Sequence, residues 1–151
     1  MFFEHQVISL LKNHSYQYFK YTNKFADDCI NIHKKWLETR QDMQWELDST
    51  YRLIENFDVL NMQGCILYAD DVPAAFSFGE RLGGTALIHF EKSCIEDGMY
   101  QLINREFIRN EYADTCYINR AEDMGIEGLK KAKKSYHPAF MIDKYDCTLK
   151  E

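Results

Sequence analysis

Three short apolar stretches follow one another near the middle of the chain, and they restrict the folds open to it more than any other feature. The stretches are residues 65–69, 73–80 and 85–91. Asp70-Asp71 separates the first two and Gly83-Gly84 separates the last two, and both pairs are typical of tight hairpin turns. The sequence therefore predicts an antiparallel meander of three strands.

Helices predominate before this meander. A lead-in helix is predicted over residues 1–13, followed by a strand over 16–21, where aromatic residues alternate with polar ones. The apolar residues of the next helix fall at helical spacing: Phe25, Cys29, Ile32 and Trp36. A broad apolar stripe predicts another helix over 43–61, which we expect Gly64 to end.

The segment after the meander alternates between helices and strands. The predicted elements are a helix over 99–112, a strand over 115–119, a helix over 126–136 and a strand over 139–145. The order β-α-α-β-β-β-α-β-α-β, after the lead-in helix, predicts an α/β domain whose mixed sheet carries helices on both faces. We expect a single domain over residues 1–151, with 1–14 as the lead-in helix and 15–151 as the domain body.

The charge and the apolar content limit the classes of partner. The net charge is −6 and the pI is about 5.4, which argues against a protein that binds nucleic acid or anionic lipid over its whole surface. No apolar run approaches the roughly 20 residues of a transmembrane helix. The N-terminal residues lack the positive charge of a signal peptide, so we expect a cytoplasmic protein.

The five cysteines are odd in number and widely spaced, and no two of them form a Cys-x-x-Cys pair. This spacing supports neither a disulfide framework nor a zinc site. We therefore expect reduced, mostly buried thiols and no bound metal.

The third strand of the meander contains a histidine and a glutamate. Simple alternation places Ala86, Ile88 and Phe90 on one face of it and Leu87, His89 and Glu91 on the other. Two such polar groups on a central strand are costly unless they are paired or face a wet cleft. His89 and Glu91 are therefore either a general-base or ammonium-binding pair or a buried, hydrogen-bonded pair.

A second polar region lies where the predicted strand 115–119 ends. Asn119 and Arg120 stand at its carboxyl end, where ligands of open α/β sheets bind. Glu122 and Asp123 precede the next helix, and capping of that helix explains part of their acidity. On the helix we expect Lys130, Lys131 and Lys134 to be solvated, whereas Leu129, Ala132 and Tyr136 form the expected buried stripe. Tyr136 is then either a general acid or a core aromatic residue.

The predicted order of elements is that of the GNAT acyltransferase fold, in which two parallel central strands separate and the donor enters between them. Here these strands are 85–91 and 115–119. The segments "INRAEDMGIEGLKKAKKSYHP" (118–138) and "HFEKSCIEDGMYQLINREF" (89–107) also closely resemble the phosphatidylglycerol lysyltransferase C-terminal domain family. Members have a GNAT-like fold, commonly as two tandem halves, and this chain resembles the C-terminal half.

The resemblance implies transfer of an acyl or aminoacyl group to an amine or a hydroxyl. In its characterised branch the family moves an amino acid from aminoacyl-tRNA to a membrane lipid. The residues implied in catalysis are Glu91, His89, Asp123 and Tyr136. The residues implied in substrate binding are Lys92, Asn119, Arg120, Glu122, Lys133 and Ser135. Arg120 is expected to hold an anionic group, and Tyr136 to protonate the leaving oxygen.

The loop before the predicted helix 99–112 bears on the identity of the donor. GNAT enzymes that use coenzyme A hold its pyrophosphate there, whereas Glu96 and Asp97 of this chain would repel it. Acyl-coenzyme A is therefore disfavoured, whereas aminoacyl-tRNA, the donor of the family's characterised branch, is one candidate donor, for which residues 130–134 would give a local phosphate contact.

Two further expectations concern assembly and activity. Either the chain is a fragment of a tandem protein, or a homodimer partner or another subunit replaces the N-terminal half. The alternative to a transferase is a non-catalytic module that keeps the fold and binds a small ligand or assembles with a partner.

Overall fold

The computed structural model describes residues 2–38, 43–95, 98–123, 125–145 and 147–149. The helices are α1 (Phe2–Asn13), α2 (Ala26–Leu37), α3 (Gln44–Glu55), α4 (Met99–Glu111) and α5 (Glu127–Lys134). The strands are β1 (Tyr16–Lys20), β2 (Met62–Ala69), β3 (Val72–Leu82), β4 (Thr85–Ser93) and β5 (Tyr117–Asn119), and a short 3-10 turn (Asn23–Phe25) precedes α2.

The strands form one mixed sheet in the order β1-β2-β3-β4-β5. The first four strands pair antiparallel, and β5 runs parallel to β4. Asp70 and Asp71 have positive φ angles of 49° and 64°, the conformation that tight hairpins require. The parallel β5 needs a crossover, which α4 supplies. The predicted meander and the α/β class are confirmed.

The chain forms two compact units, residues 1–121 and residues 122–151. The first unit contains the whole sheet and α1 to α4. The second contains α5. No helix in the described part of the chain is long and apolar enough to cross a membrane.

Both faces of the sheet are covered, so β2 and β3 are almost continuously buried. On one face, Cys65 and Leu67 of β2 join a core that includes Val7 of α1 and Phe107 of α4. On the other face, Ile66 joins a second core with residues of β1, α2, α3 and β3. The alternation of 65, 66 and 67 between the two cores fixes the register of β2.

The end of α3 differs from the sequence prediction. The helix ends at Glu55, and Gly64 lies inside β2 instead of ending a helix. A β-carbon at Gly64 would lie 2.5 Å from the ring of Phe78 on the neighbouring strand. The glycine therefore serves close packing between the strands and not helix termination.

The predicted last strand is not formed. Residues 139–145 are in neither a strand nor a helix, and four apolar side chains there are exposed: Phe140, Met141, Ile142 and Tyr145. An apolar pattern favours a strand only where a neighbouring strand takes up the backbone hydrogen bonds. The expected buried stripe on α5 is also wrong, because Ala132 is exposed and Leu129 and Tyr136 are only partly buried.

Candidate functional site

β4 and β5 separate at their carboxyl ends. They pair at three positions, from Thr85 with Tyr117 to Leu87 with Asn119. β5 then ends, whereas β4 continues to Ser93. The parallel pairing of these two strands is as predicted, but it ends because β5 stops, and β5 is the edge strand, not a central one, among the described residues. Ligands of open α/β sheets bind at such ends.

A β-bulge at His89 interrupts the alternation of β4. Phe78 pairs with Phe90 and the next residue of β3, Gly79, pairs with Ile88, so His89 is an extra residue. Glu91 therefore lies on the α4 face with Ile88, and Phe90 lies on the α2 face. The predicted alternation, which placed Phe90 with Ile88 and Glu91 with His89, is wrong beyond residue 88.

The bulge gives His89 a different partner from the one expected. Its Nε2 lies 2.8 Å from Oε1 of Glu80 on β3, and both side chains are about one-third exposed. His89 and Glu91 therefore do not form a pair. Because a carboxylate only accepts hydrogen bonds, the contact places a proton on Nε2, so Nδ1 is the acceptor nitrogen of the neutral imidazole.

Glu91 and Arg120 form an ion pair beyond the point where the strands separate. The Arg120 Nη2 donates to Glu91 Oε1. The other carboxylate oxygen of Glu91 accepts a hydrogen bond of 3.0 Å from Nδ2 of Asn104 on α4. The Glu91 side chain is 8% exposed and that of Arg120 is 20% exposed. Charge-assisted hydrogen bonds in such a sheltered place orient both side chains strongly.

Asn104 was not among the predicted site residues. It is a buried polar residue on the apolar face of α4, beside Ile103 and Phe107. Two sequence features could have identified Asn104: it is a polar residue within an apolar helical stripe, and it lies in segment 89–107, which resembles the family.

Asn119 shapes the chain after β5. Its side-chain Oδ1 accepts a hydrogen bond of 2.9 Å from the backbone N–H of Ala121. Ala121 has a φ of 55°, which is uncommon for a residue with a β-carbon. Asparagine forms such local turns readily, so Asn119 fixes the backbone on both sides of Arg120.

Lys92 does not share the sheet face of Glu91, contrary to expectation. Because successive residues of a strand point to opposite faces, Lys92 lies on the face of α2 and α3. Its Nζ donates to Glu46 of α3 and stands 3.6 Å from the ring centroid of Trp36 on α2. The structure thus separates Lys92 from the Glu91–Arg120 pair.

The remaining predicted residues lie in the second unit. Nζ of Lys133 donates to the backbone oxygen of Glu122 at 2.5 Å, and the hydroxyl of Ser135 donates to the carbonyl of Ala132 at 2.6 Å. Asp123 Oδ1 accepts a hydrogen bond of 3.0 Å from the N–H of Gly125, in the turn before α5. These contacts give the residues local structural roles around α5.

The charges of α5 lie in solvent. Lys130, Lys131 and Lys134 are exposed, as predicted, whereas Lys133 is partly buried, and so is Tyr136, two residues beyond the end of the helix. Within the described residues, no group of three or more His, Cys, Asp or Glu side chains is placed to hold a metal ion.

The start of α4 lies against α1. Gly98, with a φ of 82°, precedes the helix, and a β-carbon there would lie 2.5 Å from the carbonyl oxygen of Gln6. Nε2 of Gln101 also donates to Oε1 of Gln6 at 2.6 Å. Glu96 and Asp97, on which the prediction against acyl-coenzyme A depended, lie outside the described residues.

Comparison with known proteins agrees with this architecture. Residues 7–148 match the model of the family described as phosphatidylglycerol lysyltransferase, C-terminal. No curated protein sequence matches the chain.

Solved structures give further matches. A conserved protein of unknown function from Bacteroides thetaiotaomicron VPI-5482 is 30% identical, with a TM-score of 0.84 over 92% of this chain, which spans only 50% of that protein. The ribosomal-protein-alanine N-acetyltransferase of Brucella melitensis biovar Abortus 2308 is 7% identical (TM-score 0.65, 90% of this chain and 100% of that one). The PaiA N-acetyltransferase of Thermoplasma acidophilum, in complex with coenzyme A, is 14% identical, with a TM-score of 0.55. The match covers 87% of this chain and 93% of that one. The last two likenesses show the fold alone, which is that of GNAT acetyltransferases.

Proposed function

The chain belongs to the phosphatidylglycerol lysyltransferase C-terminal domain family, and from that premise we propose that it transfers an acyl or aminoacyl group from an activated ester to an amine or hydroxyl acceptor. The observation that carries the proposal is the Glu91–Arg120 ion pair beside the separated ends of β4 and β5. The pair fixes the guanidinium group of Arg120 against a sheltered carboxylate, at the edge where ligands of such sheets bind.

The chemistry follows from the charge that develops in acyl transfer. The acceptor's lone pair forms a bond to the ester carbonyl carbon, and the carbonyl oxygen becomes an oxyanion. When the tetrahedral intermediate collapses, the bond to the leaving oxygen breaks and that oxygen takes a proton. In this proposal Arg120 stabilises the oxyanion, or a phosphate of the donor.

The acceptor must lose a proton during this attack. Glu91 is unsuited to take it, because both of its oxygens already accept hydrogen bonds from Arg120 and Asn104. We propose Nδ1 of neutral His89 as the proton acceptor instead, since the contact with Glu80 engages Nε2. Asp123 and Tyr136 lie in the second unit, and their catalytic roles stay predictions from the family resemblance.

Aminoacyl-tRNA is the donor that we propose, in place of acyl-coenzyme A. The carbonyl of Gln6 lies against Gly98, at the helix start where a coenzyme A pyrophosphate would need open backbone N–H groups. The exposed cations Lys130, Lys131 and Lys134 supply contacts for RNA phosphates. Because the chain spans half of the related Bacteroides protein, we further propose that a second copy or another subunit completes the substrate cleft.

The test measures loss of a radiolabelled amino acid from charged tRNA, with alcohols and amines as acceptors. We expect transfer by the full chain and a loss of about a hundred-fold in Arg120→Lys, which keeps the charge but not the forked geometry. Arg109→Lys is the matched control, because Arg109 is a 67% exposed cation on α4. An unchanged rate in Arg120→Lys would refute the assigned role. A saturable thermal shift with acetyl-coenzyme A would refute the choice of aminoacyl-tRNA over acyl-coenzyme A as the donor.

A non-catalytic module is the second candidate, and one observation favours it. The two most sheltered cations near β4, Arg120 and Lys92, are each engaged by a carboxylate of the same chain, from Glu91 and Glu46 respectively. Such pairs also occur as purely structural elements. Saturable binding of charged tRNA without any loss of the amino acid would support this candidate over the transferase.

A further inference from the structure

A second polar cluster lies on the opposite face of the sheet from Glu91. It comprises His33 of α2, Glu46 and Thr50 of α3, and Lys92 of β4. His33 and Thr50 are completely buried, and the side chains of Glu46 and Lys92 are only 12% and 10% exposed. Polar groups so deeply buried are costly unless their hydrogen-bonding needs are met.

The hydrogen bonds of Thr50 determine the tautomer of His33. The Thr50 hydroxyl lies 3.2 Å from the backbone oxygen of Glu46 and 2.9 Å from Nδ1 of His33. A hydroxyl has one proton, and the carbonyl oxygen can only accept it. With its proton on that carbonyl, the hydroxyl accepts from His33, an arrangement that places the imidazole proton on Nδ1 and leaves a lone pair on Nε2.

That lone pair has no hydrogen-bond donor within the described part of the chain, although His33 is completely buried. Oε2 of Glu46, which pairs with Lys92, lies 3.9 Å from Nε2. These two acceptors make no hydrogen bond with one another, and a hydroxyl group beside them can donate its single proton to only one of the two.

The charges nearby decide what kind of donor fits. Glu46 already pairs with the ammonium group of Lys92, so the cluster is neutral overall when His33 is neutral. A second cation would be repelled by Lys92 in a poorly hydrated place. A hydroxyl group is neutral, and it can donate to Nε2 while its oxygen accepts from a cation.

We infer that the His33–Glu46–Lys92 cluster is a binding site for a ligand hydroxyl group, and that it selects neutral alcohols or polyols over ammonium compounds. Burial, followed by the charge of Lys92, lowers the pKa of His33 to about 4, so Nε2 keeps its lone pair at neutral pH. The inference does not rest on the transfer reaction proposed above.

The imidazole ¹⁵N resonances of His33 provide the test, with 1,2-propanediol as the probe. In the free protein we expect the Nδ1–H tautomer. On titration with the diol, we expect a saturable shift of the Nε2 resonance as it accepts a hydrogen bond. Neither 1,2-dimethoxyethane, which lacks a donor, nor methylammonium chloride should produce that shift.

A pair of Thr50 variants separates binding from a general effect of the solvent. Thr50→Val removes the acceptor for Nδ1–H, so we expect diol binding about ten-fold weaker, the value of roughly one hydrogen bond. Thr50→Ser keeps the hydroxyl and should bind like the wild type. An Nε2–H tautomer in the free protein, equal shifts with the diol and the ether, or no saturable shift would each overturn the inference. The last result would mean that water alone occupies the site. These readouts on the wild-type protein decide the matter even if Thr50→Val does not fold.

Discussion

Arg120, the residue after β5, donates a hydrogen bond to Glu91 of β4, which lies four residues beyond Leu87, the last β4 residue to pair with β5. The ion pair therefore spans the strands where their backbone pairing has already ended. Its contribution to stability and its proposed role in binding an anion can be measured separately.

A double-mutant cycle measures the stability contribution. Arg120→Met leaves the sheltered Glu91 carboxylate without its cation, and we expect it to lower the free energy of unfolding by about 2–4 kcal/mol. Glu91→Gln in the same background should cost little more, because the unpaired charge is then gone. Urea denaturation of the four proteins gives the coupling energy. Additive losses would show that the two side chains do not interact in solution.

The contact between α1 and the start of α4 can be tested at Gly98. Gly98→Ala adds a β-carbon 2.5 Å from the Gln6 carbonyl oxygen, at a φ of 82°. Gly83→Ala is the matched control, since Gly83 has a φ of 57° and no atom within 4 Å of such a β-carbon. The control should lose about 1 kcal/mol to left-handed strain. A loss for Gly98→Ala no larger than this would contradict the observed packing of α1.

His33 makes stability depend on pH in a defined range. Its pKa is lowered from 6.5 to about 4 by burial and by Lys92, so between these values the unfolded chain binds a proton that the folded chain does not. The free energy of unfolding should therefore fall as the pH falls from about 6.5 to about 4, by about 3 kcal/mol in total, and this contribution should not change further below that. Urea denaturation across this range measures the slope. His33→Gln should flatten it, whereas His5→Gln, which changes an exposed histidine of α1, should not.

The thiols should react in an order set by burial. Cys116 and Cys147 are exposed, contrary to the expectation of mostly buried thiols, and Cys94 is intermediate. Cys29 and Cys65 are buried, and burial raises the pKa of both thiols. With a thiol-specific chromogenic reagent we expect two fast equivalents, and reaction of Cys29 and Cys65 only on unfolding. Fast modification of Cys29 in the native protein would show that α2 opens.

The sequence predicts the elements well where the signal is local. The helical spacing of Phe25, Cys29 and Ile32 and the turn residues at Asp70-Asp71 depend only on near neighbours, and the structure contains the helix and the turn they predict. The bulge at His89 is different, because it exists only as a mismatch with the residues of β3. No pattern within β4 reveals it, and the faces of Glu91 and Lys92 depend on it.

The side-chain partners of the site residues could not be predicted from the sequence either. Glu46 meets Lys92 from 46 residues away in the sequence, and Asn104 reaches Glu91 from another element. The strand predicted at 139–145 is absent for a related reason. The alternation of apolar residues in one segment does not show whether a neighbouring strand is available to pair with it. Arg120 was identified correctly as a residue at the end of a strand, but its partner was not.

The extra residue at position 89 also bears on how relatives should be aligned. A one-residue deletion there would not shorten a loop. It would exchange the two faces for every later residue of β4, directing the Glu91 carboxylate toward the aromatic core of Phe76 and Phe78 and Lys92 toward α4. A homologue with a gap at this position would therefore lack the Glu91–Arg120 pair even if it keeps both the glutamate and the arginine.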